Sequence, residues 1–373
     1  MATILYSLAG EGRGHATRVR TVVEALRDRH RIEIFAPGVA YDLLSRAYRQ
    51  SSVTVRRIPG LLFHYSQQRL DYVRTISEAG RYLAGLPRLV QRLRDAIRAS
   101  RADLVVTDFE PALPRAAVRE SVPFISLDHQ HFLTACDLSA LPLHLRTHAS
   151  MMSPVVGSYY QGQVATIISS FYFPPVHRWY RDSVVQVGVL LRPEIRSMRP
   201  VVGDHVLVYL RRFAPDNVMS ALAGCGREVR IYGLGERPAE GNLKFFGVSE
   251  QGFIEDLASC QALVSNAGNQ LIGEAMFLGK PVLAIPEAKN FEQFINAFYI
   301  RQGGGGDWCH VHEFDGRLMS GFLERLDEYR GHIDRNRLDG LPTVLETVES
   351  HLPTVPQSSP PPHELRLLES RAS

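Results

Sequence analysis

Lysine is almost missing from this chain: of 42 basic residues only Lys244, Lys280 and Lys289 are lysines, and the rest are arginines. Set against 39 acids, the basic set leaves a formal charge of +3 over 373 residues. That excess is too small to mark a nucleic-acid binder. Cysteine is scarce too. Cys136, Cys225, Cys260 and Cys309 stand far apart with no C-x-x-C pair, which excludes zinc-ribbon spacing and a secreted disulfide framework. The start has no basic stretch ahead of an apolar one and soon meets Gly10, Glu11 and Gly12, so it does not read as a signal peptide. Residues 149–176 hold no charged side chain, but Pro154, Gly157, Gly162, Pro174 and Pro175 break them up. No uninterrupted apolar helix of about 20 residues is available there, and the stretch reads as protein interior. Cytoplasm is the expected location.

What is present is the balance of an ordinary globular protein, 22% charged and 45% hydrophobic, which excludes a disordered chain and a fibrous repeat. The length argues for about two domains. The opening residues predict strand, glycine-rich loop, helix, strand: Ile4 to Leu8, then Gly10-Glu11-Gly12-Arg13-Gly14-His15, then Val19, Val22, Val23 and Leu26 at helical spacing, then Arg31 to Ala36. Further strands are expected over 103–107, 122–127 and 165–171, and in a second series over 206–210, 228–232, 262–265 and 281–285. Helical segments lie near 216–224, 250–259 and 270–278. Strands alternating with helices imply parallel sheets covered on both faces. The expected fold class is therefore α/β, two doubly wound Rossmann-like domains facing a cleft. The first domain is expected over 1–190, a linker over 191–203, the second domain over 204–350 and a proline-rich tail over 351–373.

Ligands of such sheets sit beyond the carboxyl ends of the strands, and two loops stand there. In the first, glycines let a ligand approach the backbone, and His15 is a titratable group suited to proton transfer. The loop fails the G-x-G-x-x-G pattern of dinucleotide sites, and the plain alternative is a tight turn. In the second, Ser265-Asn266-Ala267-Gly268-Asn269 opens a helix that carries Glu274 and ends at Gly279-Lys280-Pro281; Glu292-Gln293 and Asn296-Ala297 follow. A phosphate-binding helix N-terminus and a carboxylate for vicinal hydroxyls are one reading, and an N-cap with surface acids is the other.

The run from Ser265 through Glu274, Gly279-Lys280-Pro281, Pro286 and Glu292-Gln293 to Asn296-Ala297 resembles the donor-binding signature of GT-B glycosyltransferases. It is similar to that of the UDP-glycosyltransferases and of the peptidoglycan N-acetylglucosaminyltransferase that makes lipid II. Gly12-Arg13-Gly14-His15 resembles the glycine–histidine loop of the same families, and Gly188 to Glu194 resembles their crossing into the second domain. The resemblance implies a two-domain GT-B fold and a metal-independent, inverting transferase that takes a nucleotide sugar, UDP-linked, and needs no cofactor or metal. It implies His15 as the base, with Asp108 orienting it. Donor-side residues implied are Gly268 and Asn269 at the diphosphate, Glu274 at the ribose and Glu292 and Gln293 at the sugar, with Gly14 and Asn266 also on the donor side; the place of Phe246 to Ser249 after a strand sets Ser249 near the base. Asp128, His129 and His131 match an acceptor-side polar loop.

The sequence departs from the pattern at Asn266, where the plant-type signature has histidine, and at Leu210-Arg211-Arg212-Phe213, where many relatives are rich in glycine and serine. Arg211 and Arg212 are expected to reach the diphosphate instead. Residues 81–101 set six arginines and one acid beside an apolar helical face. A core-packed helix with a solvated basic face is one reading. Peripheral contact with an anionic membrane bearing a lipid-linked acceptor is the other. The rivals left open are a nucleotide-sugar epimerase of the same fold, a dinucleotide-dependent oxidoreductase and an idle sugar-nucleotide sensor.

Overall fold

Two runs of short strands, apolar and buried at the centre and more exposed at the edges, build two seven-stranded sheets. The computed structural model describes residues 1–10, 12–60, 65–66, 69–70, 72–211 and 214–353. In chain order come β1 (Thr3–Leu8), β2 (Arg31–Ala36), β3 (Thr54–Arg57), the small hairpin strands β4 (Tyr65–Ser66) and β5 (Arg69–Leu70), β6 (Leu104–Asp108), β7 (Phe124–Asp128), β8 (Ala165–Ser169) and β9 (Val184–Val187). Apart from the hairpin they form one sheet, β3-β2-β1-β6-β7-β8-β9, and every neighbouring pair is parallel.

The second sheet uses β10 (His205–Tyr209), β11 (Glu228–Tyr232), β12 (Arg237–Glu240), β13 (Leu243–Phe246), β14 (Ala262–Ser265), β15 (Val282–Ala284) and β16 (Gly306–Trp308). Its order is β12-β13-β11-β10-β14-β15-β16, parallel except for β12 against β13. In each sheet the order reverses at the first strand, β1 between β2 and β6, and β10 between β11 and β14. That reversal opens a crevice above the carboxyl ends of the strands. Leu104, Val105 and Val106 in the first sheet and Ala262, Leu263 and Val264 in the second are wholly buried, as parallel strands covered on both faces require.

Three expectations change. The helix after β1 already begins at Gly12 and runs to Leu26, so Gly14 and His15 stand in its first turn and not in a loop. Only part of 149–176 is interior: β8 is buried, but the helix Leu143–Gly157 lies on the surface with Met151 69% exposed, burying only Leu145, Ala149 and Val156. The helix Leu341–Ser350, expected in the second unit, packs Leu341, Val344 and Val348 against the core of the first sheet. Of the expected tail, residues from 354 onward lie outside the described residues.

The arginine-rich stretch belongs to the helix Tyr72–Ser100, which buries Leu89, Val90, Leu93 and Ile97. Glu120 on the neighbouring helix accepts from Arg94 and Arg98, an acid that the local charge count left out. Among the described residues, no helix is long and apolar enough to cross a membrane.

Candidate functional site

Strand β6 ends at Asp108, whose side chain is wholly buried beside the helix that follows β1. Residues three apart on a helix share a face. His15 and Arg18 therefore meet the same carboxylate: His15 Nδ1 lies 2.9 Å from Oδ1, while Arg18 donates from Nε to Oδ2 at 2.8 Å and from Nη2 to Oδ1 at 2.7 Å. Burial pushes the Asp108 carboxyl up, but the Arg18 charge and the His15 imidazole outweigh it and hold it below the usual carboxylate range. The His15 side chain stays 15% exposed. Phe109, directly after Asp108, has φ 57°, a left-handed backbone that costs free energy in a bulky residue and recurs at functional loops.

One strand over, β7 ends at Asp128, and a second Asp–His pair forms. Asp128 Oδ2 lies 2.7 Å from His131 Nδ1 and accepts from Ser126 Oγ at 2.8 Å and Tyr160 OH at 3.0 Å; Oδ1 accepts from the His131 amide at 2.9 Å. Burial pushes both groups toward their neutral forms, and the pairing reverses it: Asp128 is driven well down and His131 up. His129 differs. Burial pushes its imidazole down, with Glu292 and Asn296 of the second half among its neighbours.

The carboxyl edge of the second sheet meets that of the first. After β14, Ala267 has φ 62°, and Gly268 caps the helix Asn269–Phe277; among the described residues, its chain neighbours aside, no atom lies within 4 Å of where its Cβ would stand. The space beside Gly14 is equally open. Both glycines therefore leave room against bare backbone, at a helix N-cap and in a first helical turn, where anionic groups bind. Asn269 does not point its side chain into that room. Its Oδ1 accepts from Ser170 Oγ at 3.2 Å and its Nδ2 donates to the Ser169 carbonyl at 3.1 Å, joining the ends of β14 and β8. Asn266 accepts from the Arg211 amide at 2.8 Å and donates to the Ile285 carbonyl at 3.0 Å, which brings the exposed Arg211 to this loop. Arg212 lies outside the described residues. The Ser249 hydroxyl accepts from the Gly252 amide at 3.1 Å as the cap of the next helix, leaving Val248 exposed at the loop tip.

Glu274 is not an open carboxylate. It is 2% exposed and takes a two-point contact from Arg192, Nε to Oε1 at 3.0 Å and Nη2 to Oε2 at 2.7 Å, with Gln270 donating to Oε1 at 3.0 Å. Arg192 also donates to Glu250 at 3.1 Å. Glu292 is exposed at the start of the helix Phe291–Gln302, whereas Gln293 is buried and accepts from the Glu287 amide at 2.7 Å. Phe291 stacks on His148 of the first half with ring centroids 3.8 Å apart. There an open groove of about 790 Å³ is lined by Leu143, His144, Thr147, His148, Met151 and Phe291.

The model of glycosyl transferase family 1 matches residues 2–327. The chain belongs to that family. It is an enzyme that transfers sugar, with a GT-B fold of two Rossmann-like sheets. Among solved structures it is similar to CalG4, the calicheamicin glycosyltransferase, at 17% identity over 95% of this chain and 99% of that one, with a TM-score of 0.68. It is similar to LpCGTa in complex with UDP at 17% identity over 94% and 99%, with a TM-score of 0.67. It is also similar to MurG of Acinetobacter baumannii at 12% identity over 94% and 100%, with a TM-score of 0.60. No curated protein matches the chain in sequence.

Within this glycosyltransferase the structure brings His15 to Asp108, Asp128 to His131, and His129 to the second half, and it gathers Asn266, Gly268, Asn269 and Arg211 at one loop. Sequence reasoning missed Arg18 and Arg192. Helical spacing carried the first signal, since Arg18 sits at i+3 from His15. The Arg192–Glu274 pair spans 82 residues and left no local trace.

Proposed function

We propose that this glycosyltransferase is inverting and metal-independent, moving a sugar from a UDP-linked donor to an acceptor hydroxyl. The observation that carries the reading is the contact between His15 Nδ1 and buried Asp108, which leaves Nε2 as the free basic nitrogen. The Nε2 lone pair takes the acceptor proton, and the acceptor oxygen forms a bond to the anomeric carbon. The bond from that carbon to the phosphate oxygen breaks, and its electron pair leaves with the nucleotide diphosphate. Backbone amides at the start of the helix Asn269–Phe277, with Arg211 beside them, offset the charge on that leaving group, which is the support for metal independence. Glu292 and Gln293 serve the sugar and Ser249 with its loop the base, while Glu274, its oxygens filled by Arg192 and Gln270, supports the ribose end of the donor by holding the helix Asn269–Phe277 in place.

On the acceptor side stand Asp128, His129 and His131. Among the described residues the groove between Met151 and Phe291 is lined by no aspartate, glutamate, lysine or arginine, and it fits an acceptor with an apolar body, a small molecule or a lipid-linked one. In the lipid-linked case the exposed arginines of the helix Tyr72–Ser100 would meet an anionic membrane surface from the cytoplasm.

The test is incubation with α-linked UDP-glucose, UDP-galactose and UDP-N-acetylglucosamine and a panel of phenolic and aliphatic alcohols, with NMR of the product. A β-linked product formed in the presence of EDTA supports the reading. An α-linked product, or loss of turnover with EDTA restored by a divalent cation, overturns it.

A further inference from the structure

The carboxylate that faces His15 is not His15's alone. Arg18 is 5% exposed and grips both oxygens of Asp108, and its Nη2 lies 2.9 Å from His15 Nδ1. Three charged or chargeable groups therefore share one buried point. Nδ1 can donate to Asp108 or accept from Arg18, but not both. The carboxylate at the same 2.9 Å is the stronger partner for an N–H, because a charged acceptor makes the stronger bond. The Nδ1–H tautomer follows, and the Arg18 cation is left standing beside the imidazole.

We propose that Arg18 is a positioning residue of the catalytic apparatus: its fork fixes the Asp108 carboxylate toward Nδ1, and its charge opposes protonation of His15 in the resting enzyme. An Asp108 without Arg18 would draw a proton onto the imidazole and spend the base before the acceptor arrives. With Arg18 present, one negative charge is already matched by one positive charge, and a second cation at His15 is disfavoured. Among the described residues, the other charged and titratable groups around this point are Asp128 at the end of β7, which acts on Arg18, Tyr6 on β1, which feels Asp108, Arg18 and Asp128, Tyr160, which feels Asp108 and Asp128, and His129, which feels Arg18. Asp128 is bound to His131, and burial keeps Tyr6 in its phenol form, so neither replaces Arg18.

This inference rests on the reading of His15 as the base, but its test needs no substrate. The full chain labelled with ¹⁵N-histidine is titrated by NMR, with the His15 signal assigned by its loss in His15→Gln. In Arg18→Gln the protonation midpoint of His15 should rise by about one pH unit, the usual effect of removing a neighbouring charge. In Arg18→Lys the charge stays but the fork is lost, so the midpoint should hold while the Nδ1–H tautomer gives way to a mixture. An unchanged midpoint in folded Arg18→Gln overturns the proposal. If Arg18→Gln does not fold, an unchanged tautomer in Arg18→Lys overturns it. If instead His15→Ala turns over like the unsubstituted enzyme while these shifts appear, the base reading falls and the coupling of Arg18 to His15 stands.

Discussion

In the proposed function His15 is the proton acceptor, and removing its imidazole leaves Asp108 held by Arg18, so the cleft floor keeps its charge balance. His15→Ala should therefore fold normally and lose about 10²–10⁴-fold in turnover, the range of a general base, in steady-state assays. Its affinity for UDP should be unchanged by calorimetry, because the helix that opens after Gly268 belongs to the other sheet. Glu274 gives a different expectation, since Arg192 fills both its oxygens. Glu274→Gln should cost about 1.5–3 kcal/mol of stability in urea unfolding, the range for a lost charged hydrogen bond, because Glu250 still neutralises Arg192. The same variant should weaken UDP itself. Glu292→Gln should spare UDP and weaken only the intact UDP-sugar, and equal losses for both ligands in both variants would refute the division between ribose and sugar.

In the proposed function donor binding depends on the helix Asn269–Phe277, and the seat of that helix is tight. A Cβ on Gly273 would stand 2.3 Å from Val189 Cγ1, and Val189 is a wholly buried branched side chain with no room to yield. Gly273→Ala should cost about 1–3 kcal/mol by overpacking and lower UDP affinity by tilting the helix N-terminus, both measurable by melting with and without UDP. After β7 the Asp128–His131 pair makes stability depend on pH. The lowered Asp128 carboxyl contributes stability above its unfolded value near 3.9 and loses it as pH falls through the folded value. The raised His131 contributes fully below about 6.5 and loses its share as pH rises through its folded value. The margin of the unsubstituted protein over His131→Gln in urea should thus be widest between about pH 4 and 6.5 and narrow on either side.

At this scale the sequence was readable where local pattern decides. Apolar strands such as Leu104 to Val106 and Ala262 to Val264, and the loop at Gly268, stood out from their neighbours alone. Edge strands such as Val184–Val187 are half-buried and carry a weaker signal. The commitments of Asn269, Ser249 and Glu274 depend on partners that only folding brings near.

Across the whole molecule, chain order and spatial order part company at the end, where the helix Leu341–Ser350 returns to the first sheet. A chain ending at residue 340 would lose Val344 and Val348, both wholly buried against the first sheet's core, and it should melt far below one ending at 353 although no site residue is removed. The halves also meet through Arg20, which bridges from the first helix to Glu194 at 3.6 Å and Glu250 at 3.5 Å, and through Tyr172 stacked on Tyr299 at 4.0 Å. Catalysis in this account needs that meeting, with the donor held by one half and the base supplied by the other. Amide hydrogen exchange with and without UDP tests the division most directly. UDP should protect the start of the helix Asn269–Phe277 and the residues around Ser249, and should do the same in His15→Ala. Protection confined to residues 8–16, or none by UDP in either protein, would contradict that division.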